Sequence, residues 1–325
     1  MKPEHIFSIS SSKEFADISL QVFEFQYTSN KVYQQFCDHL GRNPKNVNHL
    51  REIPFLPIEF FKSHRILTSN TNEEITFTSS GTTGQQTSKH YVSTVAIYEE
   101  SFRRCFEIFY GSVEDYNILA LLPSYLERSG SSLIYMVQDL VKNSKKEDSG
   151  FYLHDLDALA HKLKKLEQKK EKTLLIGVSF ALLDLAEKYD LQLNHTVVME
   201  TGGMKGRRKE MIRAELHEIL KKGLGVENIH SEYGMTELLS QAYALKNGIF
   251  ECPPWMQLVI RDPEDALTLS PTGKTGGINV IDLANINSCS FIATQDLGKT
   301  LEDGKTEILG RFDNSDIRGC NLMVF

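Results

Sequence analysis

The stretch Thr76-Phe-Thr-Ser-Ser-Gly-Thr-Thr-Gly84 crowds hydroxyls and glycines onto one short loop. Gly81 and Gly84 tolerate backbone angles that turn successive N–H groups into one concavity and let a bulky anion approach the main chain. Ser79, Ser80, Thr82 and Thr83 add hydroxyl donors. A hydrogen bond to a charged group contributes about 1.5–3 kcal/mol, so four or five together can hold a triphosphate. An ordinary Ser/Thr/Gly surface turn has the same composition, and the loop alone does not separate the two. It is not a Walker A loop. Gly-Lys-Thr occurs at 273–275, 298–300 and 304–306, but the earlier glycine is replaced by Thr268, Ala293 and Lys299. No GxGxxG string supports a dinucleotide-binding reading.

Three further segments carry chemistry-bearing residues. Glu200-Thr-Gly-Gly-Met-Lys-Gly206 follows the strand-like run Thr196–Met199, and its glycine pair, Gly202 and Gly203, lets a flat ring lie against backbone. Ser231-Glu-Tyr-Gly-Met-Thr-Glu237 follows the run Val226–His230. It sets an aromatic face (Tyr233), a hydroxyl (Thr236) and a carboxylate (Glu237) close together. Last come Thr294-Gln-Asp296 and Gly310-Arg311-Phe-Asp313.

This ordered set resembles the adenylate-forming superfamily of acyl-CoA synthetases, peptide-synthetase adenylation domains and luciferases. The family's Ser/Thr-Ser-Gly-Thr-Thr-Gly phosphate loop is matched at 79–84 and its Tyr-Gly-x-Thr-Glu segment at 233–237. Its ribose aspartate and Gly-Arg-x-Asp hinge are matched by Asp296 and 310–313. More specifically, Thr78–Gly84, Leu122-Pro-Ser-Tyr-Leu-Glu-Arg-Ser-Gly-Ser-Ser132, Glu200–Gly206 and Asp316-Ile-Arg-Gly-Cys-Asn321 are similar to the LuxE acyl-protein synthetase branch.

The resemblance implies ATP-dependent activation of a carboxylic, fatty-type acid to acyl-AMP, with pyrophosphate leaving. The acyl group would then form a thioester on Cys320 and pass to a reductase partner. Ser79, Ser80, Gly81, Thr82, Thr83 and Gly84 would hold the β- and γ-phosphates. Thr236 would contact the α-phosphate, and Glu237 would hold Mg²⁺ bridging phosphate oxygens. Gly202, Gly203 and Tyr233 would sandwich adenine, with Met204, Gly234 and Met235 in the same set. Asp296 would accept from the ribose hydroxyls, and Arg311 would sit near ribose or phosphate. Arg318 would favour a Cys320 thiolate. On its own, Cys320 reads first as a small apolar residue packing a terminal strand, and it is the resemblance that raises acylation to an equal reading.

Two departures qualify the match. The usual Pro-Lys after the phosphate loop is replaced by Gln85-Gln-Thr-Ser-Lys89, which displaces Lys89. The family's mobile C-terminal domain, which carries an adenylation lysine, is also expected to be missing. Transfer to CoA or a carrier-protein pantetheine, and a non-catalytic nucleotide-binding module, are the alternatives. A rival of another class is an α/β-hydrolase, since Gly177-Val-Ser179-Phe-Ala181 resembles a nucleophile elbow. That fold needs a histidine after its acid, and the last histidine here is His230.

The elements that must position these residues show in the hydrophobic pattern. Residues 13–40 and 92–111 place apolar side chains at helical spacing, as in Tyr98, Phe102, Cys105, Phe106 and Phe109. Short apolar runs at 118–122, 173–176 and 196–199 are each followed by a helical pattern, which predicts βα units and a largely parallel sheet. After about residue 247 strands at 257–261, 277–282 and 291–294 follow one another without long helices, predicting a smaller antiparallel β region. The fold class is therefore α/β: a large adenylate-forming N-terminal domain over 1–309, then a hinge-like tail over 310–325 carrying Cys320. Ser124, Tyr125 and Gly130, and Ser179 with Phe180, follow strand ends in this reading and are candidates for the acid pocket.

Composition bounds the rest. The 325 residues are 41% hydrophobic and 24% charged, enough for a sizeable core, and the net charge of −7 gives no footprint for nucleic acid or anionic membrane. The lysines at 162, 164, 165, 169, 170 and 172 alternate with Leu163, Leu166 and Glu167, as on the solvated face of an amphipathic helix. No run approaches the ~20 apolar residues of a membrane span. The N-terminus has no apolar signal core. Five scattered cysteines without a CxxC pair fit a reducing cytoplasm.

Overall fold

The computed structural model describes residues 3–68, 71–80, 86–123, 129–203, 208–209 and 211–312. The first elements are α1 (Ser12–Ser29), α2 (Lys31–His39), β1 (Leu56–Pro57), α3 (Phe60–Ser63), β2 (Ile75–Thr78) and β3 (Lys89–Val92). Then come α4 (Val95–Tyr110), β4 (Asn117–Leu121), α5 (Ser132–Ser144), β5 (Gly150–Phe151), α6 (Leu156–Gln168), β6 (Thr173–Val178) and α7 (Ser179–Lys188). They are followed by β7 (Thr196–Thr201), α8 (Arg213–Leu224), β8 (Ile229–Tyr233), β9 (Ala242–Ala244) and β10 (Ile249–Glu251). The last strands are β11 (Met256–Arg261), β12 (Thr275–Asp282), β13 (Phe291–Thr300) and β14 (Thr306–Arg311). The chain divides into two compact units. The first comprises Met1–Glu74, His90–Ser93 and the chain from Pro254 onward, and the second Ile75–Lys89 and Thr94–Pro253.

In the second unit five strands run parallel in the order β5, β4, β6, β7, β8, and β9 and β10 continue antiparallel beyond β8. Every residue of β4 and β6 is buried, as expected when helices cover both faces of a parallel sheet. Helix α4 turns a stripe of Ile97, Tyr98, Phe102, Cys105 and Phe106 inward. Its neighbours start on side-chain caps: the Ser131 hydroxyl accepts from the Ile134 N–H, and the Asp155 carboxylate from the Ala158 N–H. This is the parallel α/β sheet that the apolar runs predict.

The first unit is built differently. Strands β11, β12, β13 and β14 pair antiparallel in that order, and β1 lies parallel to β13. Its core centres on Trp255, Tyr33, Phe23, Phe55 and Phe291, with Tyr33 stacked on Phe291 at 6.1 Å and 20°. Two buried amides fasten the first helices to the connection between β12 and β13. Gln26 donates to the carbonyls of Asn285 and Ile286, and Asn30 donates to that of Ser288.

Three boundaries differ from the pattern. The 13–40 helical stretch breaks at Asn30, whose extended backbone and side-chain acceptor cap α2. The run beginning at Val226 is not strand until Ile229. Gly225 ends α8 in the left-handed conformation, and the Val226 N–H donates back to Lys221, so the first three residues serve that turn. Strand β13 continues six residues beyond Thr294, because its second half pairs with β14. The expected boundary at 309/310 falls within β14. No described helix is long and apolar enough to cross a membrane.

Candidate nucleotide and acid site

Three adjacent parallel strands of the second unit end together, and their last residues are the motif residues. Strand β7 closes with Glu200 and Thr201, then turns out through Gly202, at φ +68°, and Gly203, both exposed. A residue with a side chain is strained at that angle, so the glycine is required there. Ser179, first residue of α7 after β6, holds the turn: its buried hydroxyl donates to the Gly202 carbonyl at 2.6 Å. Spent in this way, Ser179 is poorly placed as a hydrolase nucleophile, and Phe180 beside it is buried.

Strand β8 pairs with β7 so that Glu200 lies opposite Ser231 and Thr201 opposite Glu232. Two buried carboxylates thus stand on neighbouring strands with contrasting surroundings. Glu200 accepts from Arg213 Nε at 3.2 Å and lies 3.6 Å from His217 Nε2. Burial pushes its carboxyl up, but the hydrogen bond from His217, the charge of Arg213 and Ser231 outweigh it and hold it below the usual range. Among the described residues, Glu232 accepts only from the Thr201 hydroxyl. Burial, opposed by that bond and reinforced by the Glu200 charge, pushes it up to about 7.

Beyond Glu232 the chain presents Tyr233, Gly234, Met235, Thr236 and Glu237. The Tyr233 ring sits edge-on to Phe250 at 6.0 Å. Gly234 is exposed, and a Cβ there would collide with Glu232 Oε1. Met235 and Thr236 are half-buried and Glu237 buried. The stem of the hydroxyl-rich loop is also fixed. The Thr78 N–H donates to the carbonyl of Gly130, itself at φ +82°, and the Ser79 N–H to that of Ser88. The Ser88 N–H donates back to Ser79 Oγ at 2.9 Å, and Ser80 is exposed. Gly81, Thr82, Thr83, Gly84, Ser124, Tyr125, Met204, Asp313 and Cys320 lie outside the described residues.

In the first unit the structure brings Asp296 and Arg311 together. They are direct cross-strand partners of β13 and β14, with Arg311 Nε 3.5 Å from Asp296 Oδ1. Asp296 is buried, its N–H donating to Thr294 Oγ1, while Arg311 is mostly exposed. Lys89 is exposed on β3.

No group of three or more metal-ligating side chains occurs among the described residues. A single carboxylate such as Glu237 still suits Mg²⁺, which usually binds one or two carboxylates plus substrate phosphates rather than a protein cage. Residues that sequence reasoning gave no role are Glu200, Glu232, Arg213 and His217. The available signal was a carboxylate at the end of the apolar run of β7; β8, Ile229-His-Ser-Glu-Tyr233, is too polar to have marked Glu232 as buried. Of the described cysteines, Cys37, Cys105 and Cys289 are buried. Burial pushes the Cys37 thiol up to about 12 and raises Cys289 further, which suits packing rather than nucleophilic attack.

Comparison with known proteins bears on the fold and on the sequence. The family model "Acyl-protein synthetase, LuxE" matches residues 6–108. The long-chain-fatty-acid–luciferin-component ligase of Vibrio harveyi is 23% identical, over 93% of this chain and 85% of that protein. The ligase of the same name from Photorhabdus luminescens is 39% identical over 66 residues, 20% of this chain and 56% of that protein. Among solved structures, an open 2-hydroxyisobutyryl-CoA ligase in complex with 2-HIB-AMP and CoA superposes with TM-score 0.67 at 13% identity, over 93% of this chain and 75% of that one. The fold is that of the adenylate-forming ligases, and the sequence is LuxE-like. ATP-bound MatB from Rhodopseudomonas palustris superposes on the LuxE-like chain with TM-score 0.54 at 20% identity, over 73% of it. This chain spans about half, 47%, of MatB's length.

Proposed function

We propose that this protein activates a long-chain fatty acid with ATP, forming acyl-AMP and pyrophosphate, and then carries the acyl group as a thioester on Cys320 for delivery to a reductase partner. The observation that supports this best is the convergence, in one unit, of the Gly202–Gly203 turn, Tyr233–Gly234 and the Thr236–Glu237 pair at the ends of adjacent strands. Strand ends of a parallel sheet are where such folds place ligands.

In chemical terms, a carboxylate oxygen attacks the α-phosphorus, and the bond to the bridging oxygen breaks as pyrophosphate leaves. Two anions must meet, so catalysis rests on neutralising and positioning charge. The loop at 79–84 would cradle the β- and γ-phosphates and Thr236 the α-phosphate. Adenine would lie over Gly202 and Gly203 against Tyr233, and Asp296 would accept from the ribose hydroxyls beside Arg311. A magnesium ion held by Glu237 would supply charge neutralisation on the phosphate oxygens. The Cys320 thiolate then attacks the acyl carbonyl, forming the thioester as AMP leaves. Ser179, Phe180 and Tyr125 are assigned to the acid side, and Ser179 in addition fixes the Gly202 turn on the nucleotide side. Free cysteines fit a reducing compartment such as the cytoplasm.

The test is exchange of labelled pyrophosphate into ATP in the presence of a fatty acid. Exchange in the wild type and its loss in Thr236→Ala and Glu237→Gln are expected; no exchange with any carboxylic acid leaves only a nucleotide-binding module. Mass spectrometry after incubation with ATP and fatty acid should find the acyl mass on Cys320. An unmodified chain that acylates added CoA or pantetheine instead would place the acceptor outside the protein.

A further inference from the structure

Arg213, the first residue of α8, has no part in the reaction as written, yet it touches the supports of both surfaces assigned to adenine. On one side its Nε lies 3.2 Å from Glu200 Oε1. Glu200 is buried at the end of β7, two residues before Gly202 in the chain. Its other oxygen, Oε2, lies 3.5 Å from the Ser179 hydroxyl that donates to the Gly202 carbonyl. On the other side the Arg213 guanidinium carbon lies over the Phe250 ring, 5.0 Å from its centre and within cation–π reach. Phe250 of β10 is buried and meets Tyr233 edge-on at 6.0 Å and 68°. A chain of contacts therefore runs from the Gly202 turn through Glu200, Arg213 and Phe250 to Tyr233.

The surroundings suit an arginine in particular. A Cβ on Gly248, which lies at φ +66° just before β10, would come within 2.9 Å of Arg213 Cδ, so the turn leaves room for this side chain as a glycine. A guanidinium is planar and always charged, so one edge can meet a carboxylate while its face covers a ring; an ammonium cannot do both. Glu200 also has His217, whose Nε2 lies 3.6 Å from Oε1. Replacing Arg213 therefore does not leave Glu200 as a buried charge without any partner, the usual reason such a substitution fails. The Arg213 side chain is 30% exposed, so a change of its head group does not open the core.

We propose that Arg213 is a positioning residue for ATP: held by Glu200 along one edge and laid over Phe250 by its face, it fixes the spacing between the Gly202–Gly203 turn and the Tyr233 ring that adenine fills. This role rests on the reading of those segments as the adenine site. It is independent of which acid is activated and of where the acyl group goes.

Calorimetric titration of the full chain with magnesium-ATP, and separately with tripolyphosphate, which carries the phosphates and no base, tests it. Arg213→Met should raise the Kd for ATP at least fivefold and leave that for tripolyphosphate within twofold. Arg213→Lys, which restores the charge beside Glu200 without the planar face, should fall between wild type and Arg213→Met. Phe250→Leu should match Arg213→Met, and the double variant should be about as weak as either alone, because both changes break one chain of contacts. In pyrophosphate exchange the same variants should raise the KM for ATP more than they lower kcat. A wild type that binds ATP without exchanging pyrophosphate would refute the proposed reaction and leave the positioning role to be decided by the ATP affinities. Unchanged ATP affinity in a folded Arg213→Met protein, or an equal loss for tripolyphosphate, would overturn the proposal; the second outcome means that Arg213 only supports the fold. A wild type that binds no ATP overturns both.

Discussion

Glu200 and Glu232 occupy consecutive register positions on neighbouring strands, and what differs between them is their partners. Glu200 has Arg213 and His217 to balance its charge; Glu232 has one hydroxyl. Because the folded state lifts the Glu232 carboxyl from 4.5 to about 7, it binds more protons than the unfolded chain between those two values. Stability from this group therefore falls as pH rises through that window. Glu232→Gln should be the more stable protein at pH 8, by up to about 3 kcal/mol, and nearly equal to wild type at pH 4.5. Urea unfolding at the two pH values measures this, and a pH-independent difference would show that the carboxyl is not the titrating group. Glu200 has the opposite sign: its contribution is present above the ordinary carboxylate range and is lost as pH falls through its depressed value. Gly234 reports on the same place. Gly234→Ala should cost about 1–3 kcal/mol, because its Cβ meets Glu232 Oε1, and most of that cost should disappear in a Glu232→Ala background.

Turns decide where the motif residues point, because a strand delivers the chain to the sheet edge and the turn sets its direction from there. The Gly202 turn leaves β7 at a positive φ and is held from the neighbouring β6–α7 junction by the Ser179 hydroxyl. Ser179→Ala removes that tie, with an expected stability loss of about 1 kcal/mol. Its larger effect should be on nucleotide binding: the KM for ATP in pyrophosphate exchange should rise severalfold while kcat changes less, since the loop is displaced and no reacting group is removed. An unchanged KM would mean that the turn holds its shape through backbone geometry alone. Gly130 plays the same part for the hydroxyl-rich loop, where it accepts the Thr78 N–H at a glycine-only backbone angle. Neither tie can be read from the spacing of residues 179 and 202, or 78 and 130, because each joins segments distant in the chain that become neighbours only in the folded protein.

For the molecule as a whole, the proposed reaction has two separable halves. Cys320→Ser should keep fatty-acid-dependent pyrophosphate exchange within about twofold of wild type and lose all stable acylation of the protein, read by intact-mass spectrometry. Acylation persisting in that variant would move the acceptor elsewhere. Of the four described cysteines, Cys37, Cys105 and Cys289 are poor substitutes, being buried, with burial raising the thiols of Cys37 and Cys289; Cys252 is half-buried and would be the first place to look.

Much of this was legible in the linear chain. Buried parallel strands such as β4, β6 and β7 read as continuous apolar runs, because both faces must leave water, and the Gly202 motif comes directly after one of them; the Tyr233–Glu237 motif is recognised by its own residues, since β8 is polar in sequence. The change to antiparallel strands in the last part of the chain was visible for the same reason, in alternating strands without helices between them. Local sequence was weaker at element ends, where Gly225 and Val226 complete a helix before β8 can start. Only the tertiary structure decided which polar residues face one another. Pairing of β7 with β8 set Glu232 opposite Thr201, whose hydroxyl donates to it, and Glu200 opposite Ser231, while the amide of Asn279 was turned toward Arg261 with its donor unmet among the described residues. A side chain's charge and hydrogen-bonding needs are written in its type, but whether they are satisfied depends on neighbours contributed by distant parts of the chain.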